Sequence, residues 1–391
     1  MKLFQCQHCR ALLYFENTRC ESCGRGLGFL PAKEVLTALE PSNNVWRALA
    51  EPKGRYRYCA NAEHGVCNWL VRADQTELYC AACRHNRMIP DLSMQNNAAH
   101  WQKVERAKHR LFYTLLKLRL PLATRTEDPF GLAFDFIADQ TAALGHKPVM
   151  TGHDNGLITI NLAEADDVER ERRRSEMGEP YRTLLGHFRH EIAHYYWGRL
   201  IANTANLNGF RSVFGDEQKD YGSALQQHYA NGPPSDWPQH FVTSYASSHP
   251  WEDFAETWAH YFHMVDTLET AGAYGLSVNT TLPKAGGRLS SKIDFDPHLA
   301  PMERLVEAWL PLTFAVNSIN RSMGLQDLYP FVLTPDVVVK LSYVHTCIHS
   351  QAGWHQGSSA GGALKAIAAG LRAGLLSGAA APTVSSPKTT N

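Results

Sequence analysis

The sequence predicts an α+β chain: small, metal-stabilised β modules followed by a mainly helical domain with a small mixed sheet. Three observations carry this. Eight of the nine cysteines lie before residue 84, mostly in CxxC pairs. Beyond about residue 96, apolar residues recur at helical spacing and strand-like runs are few. One helical stretch holds His190, Glu191 and His194 as HExxH.

A chain of 391 residues suits two or three domains. Apolar residues at 44% and charged residues at 19% describe a soluble globular protein. Zero formal net charge does not point to nucleic acid or an anionic membrane. The opening "MKLFQCQHCR" has no apolar signal region, and no apolar run reaches a membrane span. The expectation is a cytoplasmic protein without a membrane association, whose reduced thiols serve as metal ligands. The expected division is 1–90 (cysteine sets at 1–30 and 55–90), 91–350, and a tail at 351–391.

In the first set, Cys6-x2-Cys9 and Cys20-x2-Cys23 stand ten residues apart. Thiolates two residues apart on a tight turn reach one tetrahedral Zn²⁺, and the second pair completes the sphere. "ALLYFEN" between them reads as a strand. The second set is looser: Cys59-x7-Cys67, twelve residues, then Cys80-x2-Cys83. His64 sits inside the widened knuckle and is a candidate substitute for one cysteine. Both closed sets imply structural zinc, which supplies the folding energy that segments this small lack. Residues 1–90 carry 12 Lys/Arg against 8 Asp/Glu, a mild excess. "KGRYRY" (Lys53–Tyr58) interleaves basic and aromatic residues but reads first as a solvated strand. A protein partner is expected for this region, with nucleic acid as the weaker alternative.

"HWQKVERAKHRLFYTLLKLRL" places Val104, Leu111, Leu115 and Leu118 on one helical face, and Pro121 ends it. It is expected to pack on the domain with a solvated basic face. "PFGLAFDFIA" (129–138) and "LITINL" (157–162) read as strands, the second a candidate edge strand. Asn155-Gly156 makes a turn before it. The charge run Glu169–Arg174 reads as a solvated helix or loop. Residues 181–201 contain no proline and carry a broad apolar surface, including Phe188, Ile192, Tyr195 and Tyr196, so this helix should be buried. On it His190 and His194 are i and i+4, one turn apart on one face, which suits two imidazoles on one Zn²⁺. Glu191 is placed to act as general base.

Composition yields roughly one accidental HExxH in twenty such chains, so a third ligand matters. "TSYASSHPWEDFAETWAHYFHM" (243–264) supplies one. Pro250 fits a first helical turn. Glu252 and Glu256 then share a face at i and i+4. Glu252 is the candidate ligand, and Glu256 the acceptor of a hydrogen bond from a ligand histidine. Asp253 and His260 are lower-ranked alternatives.

HExxH followed by a helix bearing ExxxE resembles the gluzincins, and most closely the catalytic domain of anthrax lethal factor. With its cysteine knuckles, the chain resembles bacterial zinc-binding metallopeptidases with an amino-terminal zinc ribbon. The resemblance implies a zincin-like fold, one catalytic and two structural zinc ions, a peptide or protein substrate, and a tyrosine at position 245 that stabilises the oxyanion. The alternative is a zinc-ribbon binding protein on a non-catalytic zincin-like scaffold. The 203–237 insertion has no assignment beyond bordering the cleft.

Residues 301–325 read as a helix kinked or split at Pro311. Residues 337–349 read as a helix or strand-like run. His345 and His349 read as packing, and Cys347 as a small buried hydrophobe. From about Gly353 the Gly/Ala/Ser-rich composition predicts a disordered tail.

Overall fold

The computed structural model describes residues 2–138, 151–176, 182–280 and 289–351. The tail and its expected disorder lie outside them. The chain is mixed helix and sheet, with a cysteine-rich module of short strands at the amino-terminal end.

Phe4–Gln5 (β1) pairs antiparallel with Leu12–Leu13 (β2), the strand expected between the knuckles. Leu27–Leu30 (β3), Val35–Ser42 (β4), Val45–Ala48 (β5), Glu51–Tyr58 (β6) and Leu70–Arg72 (β7) form an antiparallel sheet in chain order. On β6, Lys53 and Arg55 face solvent while Gly54 and Tyr56 are buried, as a solvated strand requires.

Asn86–Met88 (β8) leads into the helix Asn97–Lys117 (α1). Its predicted apolar face is buried. The basic face is not fully solvated, contrary to expectation: Lys108 is fully buried, held by Glu105 at 2.9 Å. A buried ammonium needs such a partner.

Ala133–Ile137 (β9), Gly152–Asp154 (β10) and Leu157–Asn161 (β11) join β8 in a mixed sheet of order β10-β11-β9-β8. Strand β11 therefore lies inside the sheet, not at its edge as expected; among the described residues β10 and β8 are the edges. The tight turn at Asn155 (φ 47°) and Gly156 (φ 85°) folds β10 back onto β11 and so covers it. A Cβ on Gly156 would fall 2.4 Å from the Phe130 carbonyl oxygen, so glycine is needed there.

Asp167–Glu176 (α2) is helical and laced with Arg–Glu pairs three and four residues apart. Leu184–Leu200 (α3) follows. Leu207–Phe214 (α4), Tyr221–Asn231 (α5) and Trp237–His240 (α6) lead to Pro250–Ala273 (α7), a hairpin of Ser277–Asn279 (β12) with Ser290–Lys292 (β13), Met302–Ser322 (α8) and Pro335–Gln351 (α9). Helix α8 runs through Pro311 without splitting. His345 and His349 pack against the Tyr261 hydroxyl at 3.0 and 3.3 Å. Cys347 is buried. No helix among the described residues is long and apolar enough to cross a membrane.

One hydrophobic cluster runs from Phe4 to Ile348. Its amino-terminal end is aromatic. Phe15 lies 4.9 Å from Phe29 and 5.5 Å from Tyr113 of α1, and Phe29 lies 4.8 Å from Trp69. Helices α3 and α7 form its centre. Tyr196 and Trp258 stack at 5.2 Å with rings 15° apart, both fully buried.

Candidate functional site

Two well-capped helices position the site. Thr183 accepts the Gly186 amide hydrogen at 3.0 Å and starts α3. His249 Nδ1 accepts the Trp251 amide hydrogen at 3.1 Å and starts α7, with Pro250 in its first turn. The stacked aromatics between the helices hold one turn of α3 against the first turns of α7.

There the donor atoms of His190, His194 and Glu252 lie within 4.8 Å of one another. His190 Nδ1 donates to Glu256 Oε1 at 2.7 Å, which turns Nε2 towards the other two residues. Nε2 lies 2.9 Å from Glu252 Oε2 and 3.3 Å from His194 Nε2. Glu252 Oε2 is buried yet makes no hydrogen bond of acceptable geometry. Glu252 Oε1 in turn lies 3.6 Å from His194 Nε2, so the buried carboxylate presents one oxygen to each imidazole, an arrangement that a cation among them would stabilise. Two imidazoles and one carboxylate are also the donor set that a catalytic zinc takes, so these residues fit that ion.

Burial lowers His194 to about 4, so its ring is neutral with a lone pair to give. Burial raises Glu252, but His194, His190 and Tyr221 outweigh it and hold the carboxyl at about 2. Burial lowers His190, but the carboxylates of Glu252 and Glu256 outweigh it and raise it well above the usual range, so this ring must release its Nε2 proton to take a cation. Glu191 is raised to about 7, first by burial, then by Glu252 and Glu256 against the opposing His190. Thr243 donates to Glu256 Oε2 at 2.8 Å and fixes that carboxylate in turn. The Tyr245 ring lies 6.1 Å from that of His190. Burial and then Glu252 raise its hydroxyl far above the ordinary range, so it remains a donor. The alternatives lie elsewhere: Asp253 pairs with Lys340 at 2.7 Å, and His260 Nδ1 meets the Tyr329 hydroxyl at 2.7 Å.

The cysteines form two groups of four, Cys6, Cys9, Cys20, Cys23 and Cys59, Cys67, Cys80, Cys83. Sulfur separations are 3.8 Å for Cys6–Cys23, 3.6 Å for Cys9–Cys20 and 3.8 Å for Cys67–Cys80. A tetrahedron with Zn–S bonds near 2.3 Å has edges of about 3.8 Å, whereas a disulfide needs about 2.05 Å. All nine cysteines are free thiols.

A family model described as "Putative zinc-binding metallo-peptidase" matches residues 97–347, and a zinc-ribbon domain model matches residues 3–94. The chain belongs to this zinc-binding metallopeptidase family. Relatives of the chain include the uncharacterized protein Rv2568c of Mycobacterium tuberculosis and the uncharacterized protein Mb2598c of Mycobacterium bovis. Each is 42% identical over 357 residues, covering 90% of this chain and 96% of its own. No solved structure matches the chain.

Other residues of the chain reach the clusters without a local sequence signal. His64 is not in the second cysteine group; it faces Glu63 at 3.4 Å and the Trp101 ring. The short 3-10 turn after Cys59 carries it outward. His109 of α1 comes instead, its Nε2 lying 3.3 Å from Cys67 Sγ and 3.6 Å from Cys83 Sγ. At the histidine cluster, His153 of β10 stacks on His194 at 6.1 Å. From α5, Tyr221 donates to Glu252 Oε1 at 2.8 Å.

Proposed function

We propose that this chain is a gluzincin-type peptidase, zincin-like in fold and similar in its site to anthrax lethal factor. The convergence of His190, His194 and the orphaned Glu252 oxygen carries the reading. These three residues would hold zinc. When bound, zinc supplies a Lewis acid and acidifies a coordinated water. Glu191, beside the cluster but outside the donor set, takes the proton of the attacking water and delivers it to the leaving amine. Tyr245 donates its hydroxyl hydrogen to the developing oxyanion, a contribution of ~3 kcal/mol for one good donor. Glu256 keeps the His190 ring in the tautomer whose Nε2 faces the cleft.

An extended peptide would add as a strand along β10, which lies against α3 and carries His153. The two cysteine groups would hold structural zinc, and the module they stabilise would bind a protein partner or regulate the site. We place the enzyme in the cytoplasm, where a reducing milieu keeps eight thiols available as ligands.

Elemental analysis of the full chain tests the central claim. Wild type should hold about three zinc ions, and a His190→Ala, His194→Ala variant about two. Equal zinc in both proteins would remove the histidine pair from metal binding and end the peptidase reading. Cleavage of a peptide library, with Glu191→Gln as control, then tests turnover.

A further inference from the structure

Glu252 is 1% exposed, and its two oxygens are treated differently. Oε2 faces His190 Nε2 at 2.9 Å with no other partner among the described residues, while Oε1 lies 3.6 Å from His194 Nε2 and accepts the Tyr221 hydroxyl hydrogen at 2.8 Å. We propose that Tyr221 is a positioning residue of the metal site, fixing the Glu252 carboxylate so that Oε2 stays turned towards His190; the 203–237 insertion is thereby part of that site. The inference rests on reading His190, His194 and Glu252 as zinc ligands.

A buried carboxylate on a flexible side chain has no inherent reason to present one oxygen rather than the other. A donor on Oε1 removes that freedom. It also satisfies the oxygen that would otherwise compete for the cation or lie unpaired in the interior. Only a charge-assisted bond from a fixed group does both.

Tyr221 is such a group. Asp220 accepts the Ser223 amide hydrogen at 2.7 Å and caps α5, which places Tyr221 at its first position. His249 holds the segment just before it: Nε2 donates to the Lys219 carbonyl at 3.1 Å while Nδ1 accepts the Trp251 amide hydrogen. Both ring nitrogens of this buried histidine are thus engaged, one with the insertion and one with the helix that bears Glu252. The Tyr221 ring packs against His249 at 5.2 Å and Trp251 at 6.0 Å. The insertion and the ligand helix are registered to each other by one side chain, and the tyrosine reaches across that joint.

Tyrosine 221 is 37% exposed, so Tyr221→Phe keeps the ring packing and removes only the donor. Zinc binding by the full chain is measured by competition with a chromophoric chelator. The variant should bind the zinc lost in the His190→Ala, His194→Ala control about 10- to 100-fold more weakly than wild type, with the two cysteine-bound zinc ions unchanged. In a Glu252→Ala background the same change should have no further effect, which a general structural role would not predict. Unchanged affinity in Tyr221→Phe overturns the proposal, and so does a fall in kcat alone, which would make the hydroxyl a group acting on substrate. If the histidine control loses no zinc, the ligand reading itself has failed and the inference goes with it.

Discussion

Glu191 follows His190 by one residue, about 100° further round α3, so it borders the cleft without joining the donor set. Replacing it with glutamine keeps the shape and removes the base. Glu191→Gln should retain the third zinc and lose about 10²- to 10⁴-fold in kcat/KM. Zinc content measured beside peptide cleavage checks this, and loss of the metal would show that Glu191 is structural. Glu256 acts through another residue. Glu256→Ala leaves His190 Nδ1 and the Thr243 hydroxyl without their acceptor. Zinc affinity at that site should fall about 10- to 100-fold in chelator competition; an unchanged value would remove Glu256 from metal binding. At this scale the candidate ligands were legible because helical spacing alone brings His190 beside His194 and Glu252 beside Glu256. Tyr221 and His109 were not. Their contacts span 31 and 42 residues, and no periodic pattern encodes a meeting at that separation.

Helices α3 and α7 meet through Tyr196 and Trp258, so the candidate site depends on an apolar seam that touches none of the candidate ligands. Trp258→Ala should cost about 3–5 kcal/mol in denaturant unfolding, since the cavity adds to the lost burial; a cost below about 1 kcal/mol would mean the seam collapses without penalty. Further along, α7 carries a charged junction. Asp266 pairs with Arg189 of α3 and faces His298, which also meets Asp296 at 3.2 Å. Burial lowers His298, but bonds to Asp266 and Asp296 outweigh it and raise it to about 9. A histidine titrating near 6.5 when unfolded and near 9 when folded stabilises the fold fully below pH 6.5. That contribution, up to about 3 kcal/mol, is lost as pH rises from 6.5 through 9. The melting temperature should fall across that window in wild type and less steeply in His298→Gln; parallel slopes would exclude the residue. Element types followed from helix starts and period, as at Pro250; the Thr183 cap of α3 was not singled out. Position within the sheet did not: alternation marks β11 as a strand but cannot say that β10 will cover its outer side. Periodicity was equally silent on residues 337–349, where continuous apolar runs suit a buried strand or helix and packing beside α7 decides for α9.

The sequence suggests separable units, because two cysteine sets each look self-sufficient. The molecule joins them to the helices instead. Phe15 and Phe29 cover Tyr113 of α1, Trp69 packs on His109 of the same helix, and α1 in turn packs on α3. The second cysteine group touches α1 directly through His109, with Glu105 and Lys108 buried beside it. Neither face of this joint can be exposed without leaving large aromatics and a buried ion pair in water or unpartnered. A structural zinc contributes ~10 kcal/mol or more in isolated finger peptides, as much as the whole net stability of a typical domain, ~5–15 kcal/mol. Removing the second cysteine-bound zinc should therefore act well beyond the amino-terminal quarter. A Cys80→Ser, Cys83→Ser variant should lose cooperative melting of the entire chain and, with it, the zinc bound at His190, His194 and Glu252. Calorimetry with zinc analysis reads both. If the variant still melts cooperatively and keeps that zinc, the helical part folds on its own, and the aromatic joint to α1 is a docking contact between independent units. If both are lost, the cysteine-bound metal governs whether α1 can support α3, and a chelator that strips it would empty the histidine site as well.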